Sequence, residues 1–348
     1  MAAVDSFQLL LKEILKTCSH LRDAFAILGA LYTARKAIRL TRCLLSVVND
    51  HVLSQLGGQW DLRKEFGPWA VVTGSSEGIG RAYAQELASR GLNIVLISRG
   101  EKRLEKAATE IAEQFHVETC YIAVDFNNTT DTYKKIEARI KDKTIGILVN
   151  NVGVMYDYPQ YFLDVPRERL WQLINVNVAA ATMMTHMILP QMVQRQKGAV
   201  VMVSSGACSQ ITPQMTVYAA TKSFLDYFAR SLNYEYKDKG IIIQSLMPFY
   251  VATRMTRYSE TLSNTNLFIP TASVYARNAI KTLGYTARTS GYLPHAFQSW
   301  LCNLIPEWQW MWGASRLNTA LREQALRRRP LQIHESPSDQ SLDSSTPT

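Results

Sequence analysis

Cysteine is scarce in this 348-residue chain, which has five: Cys18, Cys43, Cys120, Cys208 and Cys302. None forms a CxxC pair or stands beside a histidine at metal-ligand spacing. That excludes a zinc ribbon or a disulfide framework and reads as reduced thiols of an intracellular protein. The six histidines are equally scattered, without HExxH, and there is no Gly-x-Ser-x-Gly elbow, so no metal or hydrolase site is implied. His186, in an apolar helical stretch, reads as a core histidine. No run of roughly 18 uncharged apolar residues exists, so no ordinary membrane-spanning helix is predicted. With 17 Gly, 12 Pro and 47% hydrophobic residues, the chain is neither collagen-like nor wholly disordered.

Acidic residues are the next deficit: 29 Asp and Glu against 38 Lys and Arg, a net charge of +9. Residues 1–45 hold seven bases (Lys12, Lys16, Arg22, Arg35, Lys36, Arg39, Arg42) against three acids (Asp5, Glu13, Asp23). A concentrated positive end points to an anionic membrane or a targeting receptor and away from nucleic acid. The apolar stretch Ala24–Ala34 would reach only about half of the ~30 Å hydrocarbon core as a helix. Residues 1–60 therefore read as an amphipathic targeting or membrane-associating segment, with peripheral membrane contact through residues 20–50. A helix packed on the catalytic domain or on a partner is the alternative. At the other end, Arg327–Arg329 and Pro330 lead into a Ser/Pro/Asp-rich stretch, and residues 328–348 read as a disordered tail.

The middle of the chain carries the chemistry. WAVVT (Trp69–Thr73) is a fully apolar strand candidate that runs into Gly74-Ser-Ser-Glu-Gly78-Ile-Gly80 and then a helical pattern ending at Gly91. A second strand, NIVLIS (Asn93–Ser98), follows. Strand, glycine loop, helix and strand in that order form a dinucleotide site, because the backbone must approach a pyrophosphate at a helix N-terminus. Gly74, Ser76, Gly78, Ile79 and Gly80 are its candidate contacts. Cofactor choice is read after the second strand, where an acid would select NAD and an arginine would accommodate a 2′-phosphate. This chain has Ser98–Arg99 and no acid before Glu101, so NADP(H) is favoured. Further on, Tyr218 and Lys222 stand four apart in VYAATKSFLDYF, on one face of a helix. An ammonium beside a phenol, together with the positive nicotinamide of an oxidised complex, is expected to pull its pKa of ~10 toward neutrality, where it exchanges protons usefully.

TGSSEGIG resembles the cofactor loop of the short-chain dehydrogenase/reductase family, and later motifs agree. GILVNNVG (Gly146–Gly153) is similar to the family's Asn-Asn-Ala-Gly, and YIAVD (Tyr121–Asp125) places Asp125 where relatives bond the adenine. Ser205 precedes Tyr218 by the family's spacing. By that resemblance, Asn150 and Asn151 steady the sheet and line the adenine ribose. Tyr218 is the general acid and Ser205 polarises the carbonyl, in preference to the competing Ser204. Lys222 holds the nicotinamide ribose, and Asn177 anchors a proton-relay water.

The resemblance covers about residues 66–320, which makes that region one Rossmann-type, doubly wound α/β domain with a parallel sheet. Pro248–Phe249 in place of the usual Pro-Gly, together with TSGYLPHAF (Thr289–Phe297), resembles the branch of 17β-hydroxysteroid dehydrogenases types 3 and 12 and very-long-chain 3-ketoacyl-CoA reductases. Within it, YTARKAI and VGVMYDYPQYF resemble a hydroxysteroid dehydrogenase-like subgroup, some of whose members carry Phe for the catalytic tyrosine and are regarded as inactive. This chain keeps Tyr218.

The resemblance implies reduction of a ketosteroid or similar hydrophobic ketone, with a catalytically weak nucleotide-binding protein and a 3-ketoacyl-CoA reductase as alternatives. The aromatic-rich stretch from Phe249 to Trp312 would wall the apolar cleft, dock on a membrane or form a subunit interface. A homo-oligomer is expected by analogy. The mitochondrion is expected from the resemblance and the basic N-terminal segment. The endoplasmic reticulum membrane is the alternative, weakened by an SSTPT end that lacks a dilysine signal.

Overall fold

The computed structural model describes residues 2–48, 60–128, 131–256 and 259–333. They fall into two units, residues 1–49 and residues 50–348. The first is a helix, α1 (Ala2–Val48), about 70 Å long at the usual rise. Gly29 is its one glycine and it holds no proline. Phe7, Leu11, Ile14, Leu21, Phe25 and Leu28 stand exposed along it. The segment read from sequence as 1–60 is thus helical to Val48, and residues 49–59 lie outside the described residues.

The second unit is built on seven parallel strands. They are β1 (Trp69–Thr73), β2 (Asn93–Ser98), β3 (Thr119–Ala123), β4 (Ile145–Asn150), β5 (Gly198–Val203), β6 (Ile241–Leu246) and β7 (Arg288–Thr289), in the order β3-β2-β1-β4-β5-β6-β7. The chain runs outward through β2 and β3, then returns to β4 on the other side of β1. The crevice at the carboxyl ends of β1 and β4 is the topological switch point, where such sheets bind ligands. The strands are apolar runs because helices cover both faces; every residue of β4 and β5 is buried.

On one face lie α2 (Leu62–Phe66), α3 (Gly78–Ala88), α4 (Glu101–Phe115) and α10 (Ala272–Lys281), where Leu87, Tyr275 and Ile280 share one core cluster. On the other lie α5 (Thr132–Ile140), α6 (Arg167–Ile174), α7 (Ala180–Arg195) and α8 (Thr216–Tyr236). Met184, Ile188 and Met192 of α7 there join Leu225 and Ala229 of α8. Residues 167–195 are long and apolar enough to cross a membrane by length and composition, but this is the core helix, so burial against the sheet accounts for its apolar character. After β6 come the short α9 (Glu260–Ser263), then α10, β7, α11 (Leu293–Leu304) and α12 (Glu307–Ile333). Helix α12 extends to Ile333, and residues 334–348 of the tail read from sequence lie outside the described residues.

Two sequence expectations need correction. His186 is exposed on α7; the apolar residues around it in sequence face the core while its own position on the helix faces out. Among the described residues the wholly buried histidine is His295 on α11. The third strand lies two residues earlier than read, so Asp125 sits in the loop beyond it.

Candidate active site

Loop and helix geometry explain each glycine of the nucleotide motif separately. Gly74 and Gly78 adopt left-handed φ of 66° and 61°, a region that costs other residues. Gly80 has a different reason: a Cβ there would lie 2.4 Å from Gly74 O and from Asn151 Nδ2. It does not line the cavity, as the motif reading had it. Its missing side chain instead lets α3 press against β1 and β4.

Asn151 locks that contact, donating from Nδ2 to Thr73 O (2.9 Å) and Gly74 O (3.2 Å). The backbone N–H groups of Asn151 and Val152 both donate to Thr73 Oγ1 at 3.0 Å. Asn150 turns the other way, into the sheet, donating to Thr185 Oγ1 at 2.9 Å.

One cavity of about 810 Å³ runs from this loop to the catalytic residues. Gly74, Ser76, Gly78, Ile79, Arg99 and Asp125 line its nucleotide end. Asn151, Ser205, Tyr218 and Lys222 line the cavity as well. Ser76 and Ser98 share a 3.1 Å hydroxyl contact between the first two strand ends. Arg99 is exposed at the mouth. The Asp125 carboxylate accepts from Asn127 N at 3.0 Å, ordering its loop. Glu77 of the glycine loop lines the same end, and so does Arg103, which sequence reasoning missed. A signal existed: Arg103 stands in the first turn of α4, where a base opposes the helix dipole.

At the other end, Ser205 begins a short 3₁₀ turn, its hydroxyl accepting from Ala207 N at 3.2 Å. The same hydroxyl is hydrogen-bonded to Tyr218. The neighbouring Ser204 is buried, its Oγ donating to Lys222 O at 2.6 Å, and Ser205 is the serine that faces Tyr218. Lys222 is almost completely buried and donates from Nζ to Val203 O at 2.9 Å. It has no carboxylate partner among the described residues, and burial lowers its pKa to about 8.

The protein's own groups do not lower the Tyr218 pKa. Burial raises it to about 12, against the opposing hydrogen bond from Ser205 and with a further rise from Tyr250. The ammonium is 5.9 Å from the ring centroid, and desolvation outweighs it.

Asn177 sits in a π-helical turn, Asn175–Ala179, between α6 and α7. Such turns recur at functional sites. Its side chain is fully buried behind the cavity wall: Oδ1 accepts from Val154 N (2.8 Å), and Nδ2 donates to Val154 O (2.9 Å) and Thr221 Oγ1 (3.0 Å). It braces the loop after β4 against α8.

The outer wall comes from elements beyond the sheet. Trp310, Ala314, Leu317 and Asn318 of α12 line the cavity. Trp310 Nε1 donates to Ile211 O at 3.1 Å, and Asn318 Nδ2 to Pro213 O at 2.7 Å. Phe249 packs against Gly206, whose Cβ would stand 3.0 Å from its ring. Phe249 N donates to His295 Nδ1 (3.3 Å), so His295 Nε2 carries the proton and donates to Phe268 O (3.1 Å).

The residues fit a nicotinamide nucleotide. Gly153 leaves open the space in front of Lys222 that a Cβ would fill, 3.2 Å from Nζ. Among the described residues, Val203 O is the one protein acceptor of that ammonium, so N–H donors remain for ribose hydroxyls. Glycine loop, switch-point crevice and Ser–Tyr–Lys arrangement together define the Rossmann-type fold of an oxidoreductase family. Residues 68–263 match the short chain dehydrogenase family, and the chain belongs to it.

It is 51% identical over 326 residues to "Inactive hydroxysteroid dehydrogenase-like protein 1" of Pongo abelii, covering 94% of this chain and 99% of that one. It is 43% identical over 305 residues to "Very-long-chain 3-oxoacyl-CoA reductase" of Anas platyrhynchos, covering 87% of this chain and 95% of that one. Among solved structures it is similar to a short-chain dehydrogenase from Sphingobium yanoikuyae in complex with NADPH. That similarity has a TM-score of 0.56 and 28% identity over 61% of this chain and 83% of that one.

Proposed function

We propose that this chain is an NADPH-dependent reductase of a ketosteroid or similarly hydrophobic ketone. The observation that carries the reading is the intact Ser205–Tyr218–Lys222 set on the same cavity as the nucleotide loop, under a wall containing Trp310 and Leu317. A bound nicotinamide nucleotide supplies a hydride to the carbonyl carbon. Ser205 donates a hydrogen bond to the carbonyl oxygen and Tyr218 gives that oxygen its proton, so ketone, hydride and proton sum to the alcohol. The raised pKa of Tyr218 suits this direction, because the phenol holds its proton at neutral pH. Lys222 binds ribose hydroxyls, and Asn177 keeps α8 in register with the loop after β4.

A second reading, a nucleotide-binding protein with little turnover, is favoured by the word "inactive" in the name of the Pongo abelii relative. A third, a 3-ketoacyl-CoA reductase, is favoured by the relative from Anas platyrhynchos.

The test is one cuvette series: NADPH and NADH titrated by fluorescence, then a panel of ketosteroids and a 3-ketoacyl-CoA added. NADPH oxidation with a steroid, lost in Tyr218→Phe, supports the first reading. Oxidation with the acyl-CoA supports the third. Tight NADPH binding with no turnover supports the second, and failure to bind either nucleotide defeats all three.

A further inference from the structure

Helix α11 carries an apolar stripe that the described residues leave uncovered. The helix buries His295 and Ala296 against the fold, but Leu293, Phe297, Leu301 and Leu304 are each between 44% and 51% exposed. Their spacings of four, four and three residues put them on one helical face. Beyond the break at Ile305–Pro306, Trp308 and Trp312 stand one turn apart at the start of α12, both 66% exposed. Between Ser290 and Arg316 the sequence holds one charged residue, Glu307. Arg316 closes the run, its guanidinium carbon 5.6 Å from the Trp312 ring centroid.

A second feature points the same way. Asn266 and Ile269 exchange backbone hydrogen bonds of 3.0 and 3.1 Å, and Asn266 Oδ1 accepts from Phe268 N (2.8 Å) and Ile269 N (3.0 Å). Such a stiff turn usually carries glycine or small polar residues at its tip. Here the tip is Leu267–Phe268, 65% and 41% exposed, and Phe268 O is bonded to His295 of α11. The rim of the cavity is apolar too: Met255 and Leu317 both line it and are 40% and 53% exposed.

Contiguous apolar surface with a polar edge marks a contact site. Tryptophan, phenylalanine and leucine on one face, almost no acid, and an arginine at the margin match the chemistry of a bilayer boundary, where aromatic rings sit at headgroup level and a guanidinium meets lipid phosphate. An apolar rim on the cavity is stable facing such a medium. We infer that α11, the start of α12 and the Leu267–Phe268 turn dock this domain on a lipid bilayer, with the cavity rim at the membrane surface. The inference is independent of the reductase reading, and its test needs neither nucleotide nor ketone.

The test uses the full-length protein and vesicles of phosphatidylcholine with about one-third phosphatidylserine, made with and without bromine on the acyl chains. Bromine quenches tryptophans that reach the acyl region. Helix α1 holds no tryptophan, so attachment through that helix alone leaves the emission unquenched. The wild type binds and is quenched. Trp308→Phe with Trp312→Phe keeps binding within about threefold and loses most of the quenching. Phe297→Glu with Leu301→Glu lowers vesicle affinity about tenfold or more, the scale of withdrawing two half-exposed apolar side chains. All four side chains are exposed, and a thermal melt confirms that each variant is folded. Binding without quenching, or quenching that the tryptophan pair leaves unmoved, overturns the inference. So does failure to bind vesicles at all, including the case where sedimentation shows self-association that Phe297→Glu with Leu301→Glu abolishes, which assigns the face to a second copy of the chain.

Discussion

Ser204 and Lys222 are joined by a 2.6 Å hydrogen bond from the serine hydroxyl to the lysine carbonyl oxygen. That bond ties the end of β5 to α8 and leaves Ser205, next in the chain, facing Tyr218. On the proposed reduction, adjacent serines divide a structural and a chemical task, and they should separate on mutation. Ser205→Ala is expected to lower turnover about 10²-fold, the usual cost of one donor to a developing oxyanion, with the melting temperature little changed. Ser204→Ala is expected to cost about 1 kcal/mol of stability while keeping most turnover. Steady-state kinetics and thermal unfolding on both variants check the division.

On the proposed reduction, Tyr218→Phe removes the proton donor. Reduction should fall by about 10²–10⁴-fold, with NADPH affinity within about twofold of wild type. Turnover that survives the substitution would assign the proton to another group.

Lys222 gives the nucleotide-free protein a pH signature. Burial places its pKa at about 8 against 10.5 in the unfolded chain. Between those values the unfolded chain binds the extra proton, so stability rises with pH across that window. Denaturant unfolding at pH 8 and pH 9.5 should show the rise, and Lys222→Met should flatten it. Above pH 10 the buried phenols act oppositely: Tyr218 and Tyr275 have raised pKa values, and the stability they contribute is lost as pH climbs further.

Gly80→Ala and Gly91→Ala test clash against conformation. At Gly80 a Cβ meets a backbone oxygen at 2.4 Å, whereas at Gly91 φ is 80° and nothing lies within 4 Å. Gly91→Ala should cost only the left-handed penalty of about 1–2 kcal/mol. Gly80→Ala should cost more and abolish nucleotide binding, because α3 and Asn151 must move apart. Melting curves with and without NADPH distinguish the two.

Trp310→Ala opens the outer wall and frees the carbonyl of Ile211. For a bulky ketone KM should rise about tenfold with kcat little altered, and for a small ketone both should stay within about twofold. Equal effects on the two substrates would remove Trp310 from the substrate wall.

The strand-loop-helix-strand order from Trp69 to Ser98, the parallel α/β class and the Ser205–Tyr218–Lys222 set were all legible in the residues. Each rests on local order or spacing: an apolar run buried on both faces, glycines at a tight turn, two side chains one helical turn apart. Chain neighbours carry that information, so the sequence by itself determined the fold class and the residues of the candidate site.

Tertiary structure decided what depends on residues far apart. Gly80 is required by Asn151, Glu77 is shared between Arg103 and Arg254, and α12 brings Trp310 over a loop near Ile211. It also reversed the expected pKa of Tyr218, because desolvation depends on everything packed around the phenol and a spacing of four residues reports only the nearest charge. His186 failed for the same reason: an apolar neighbourhood in sequence does not say which way one position on a helix faces.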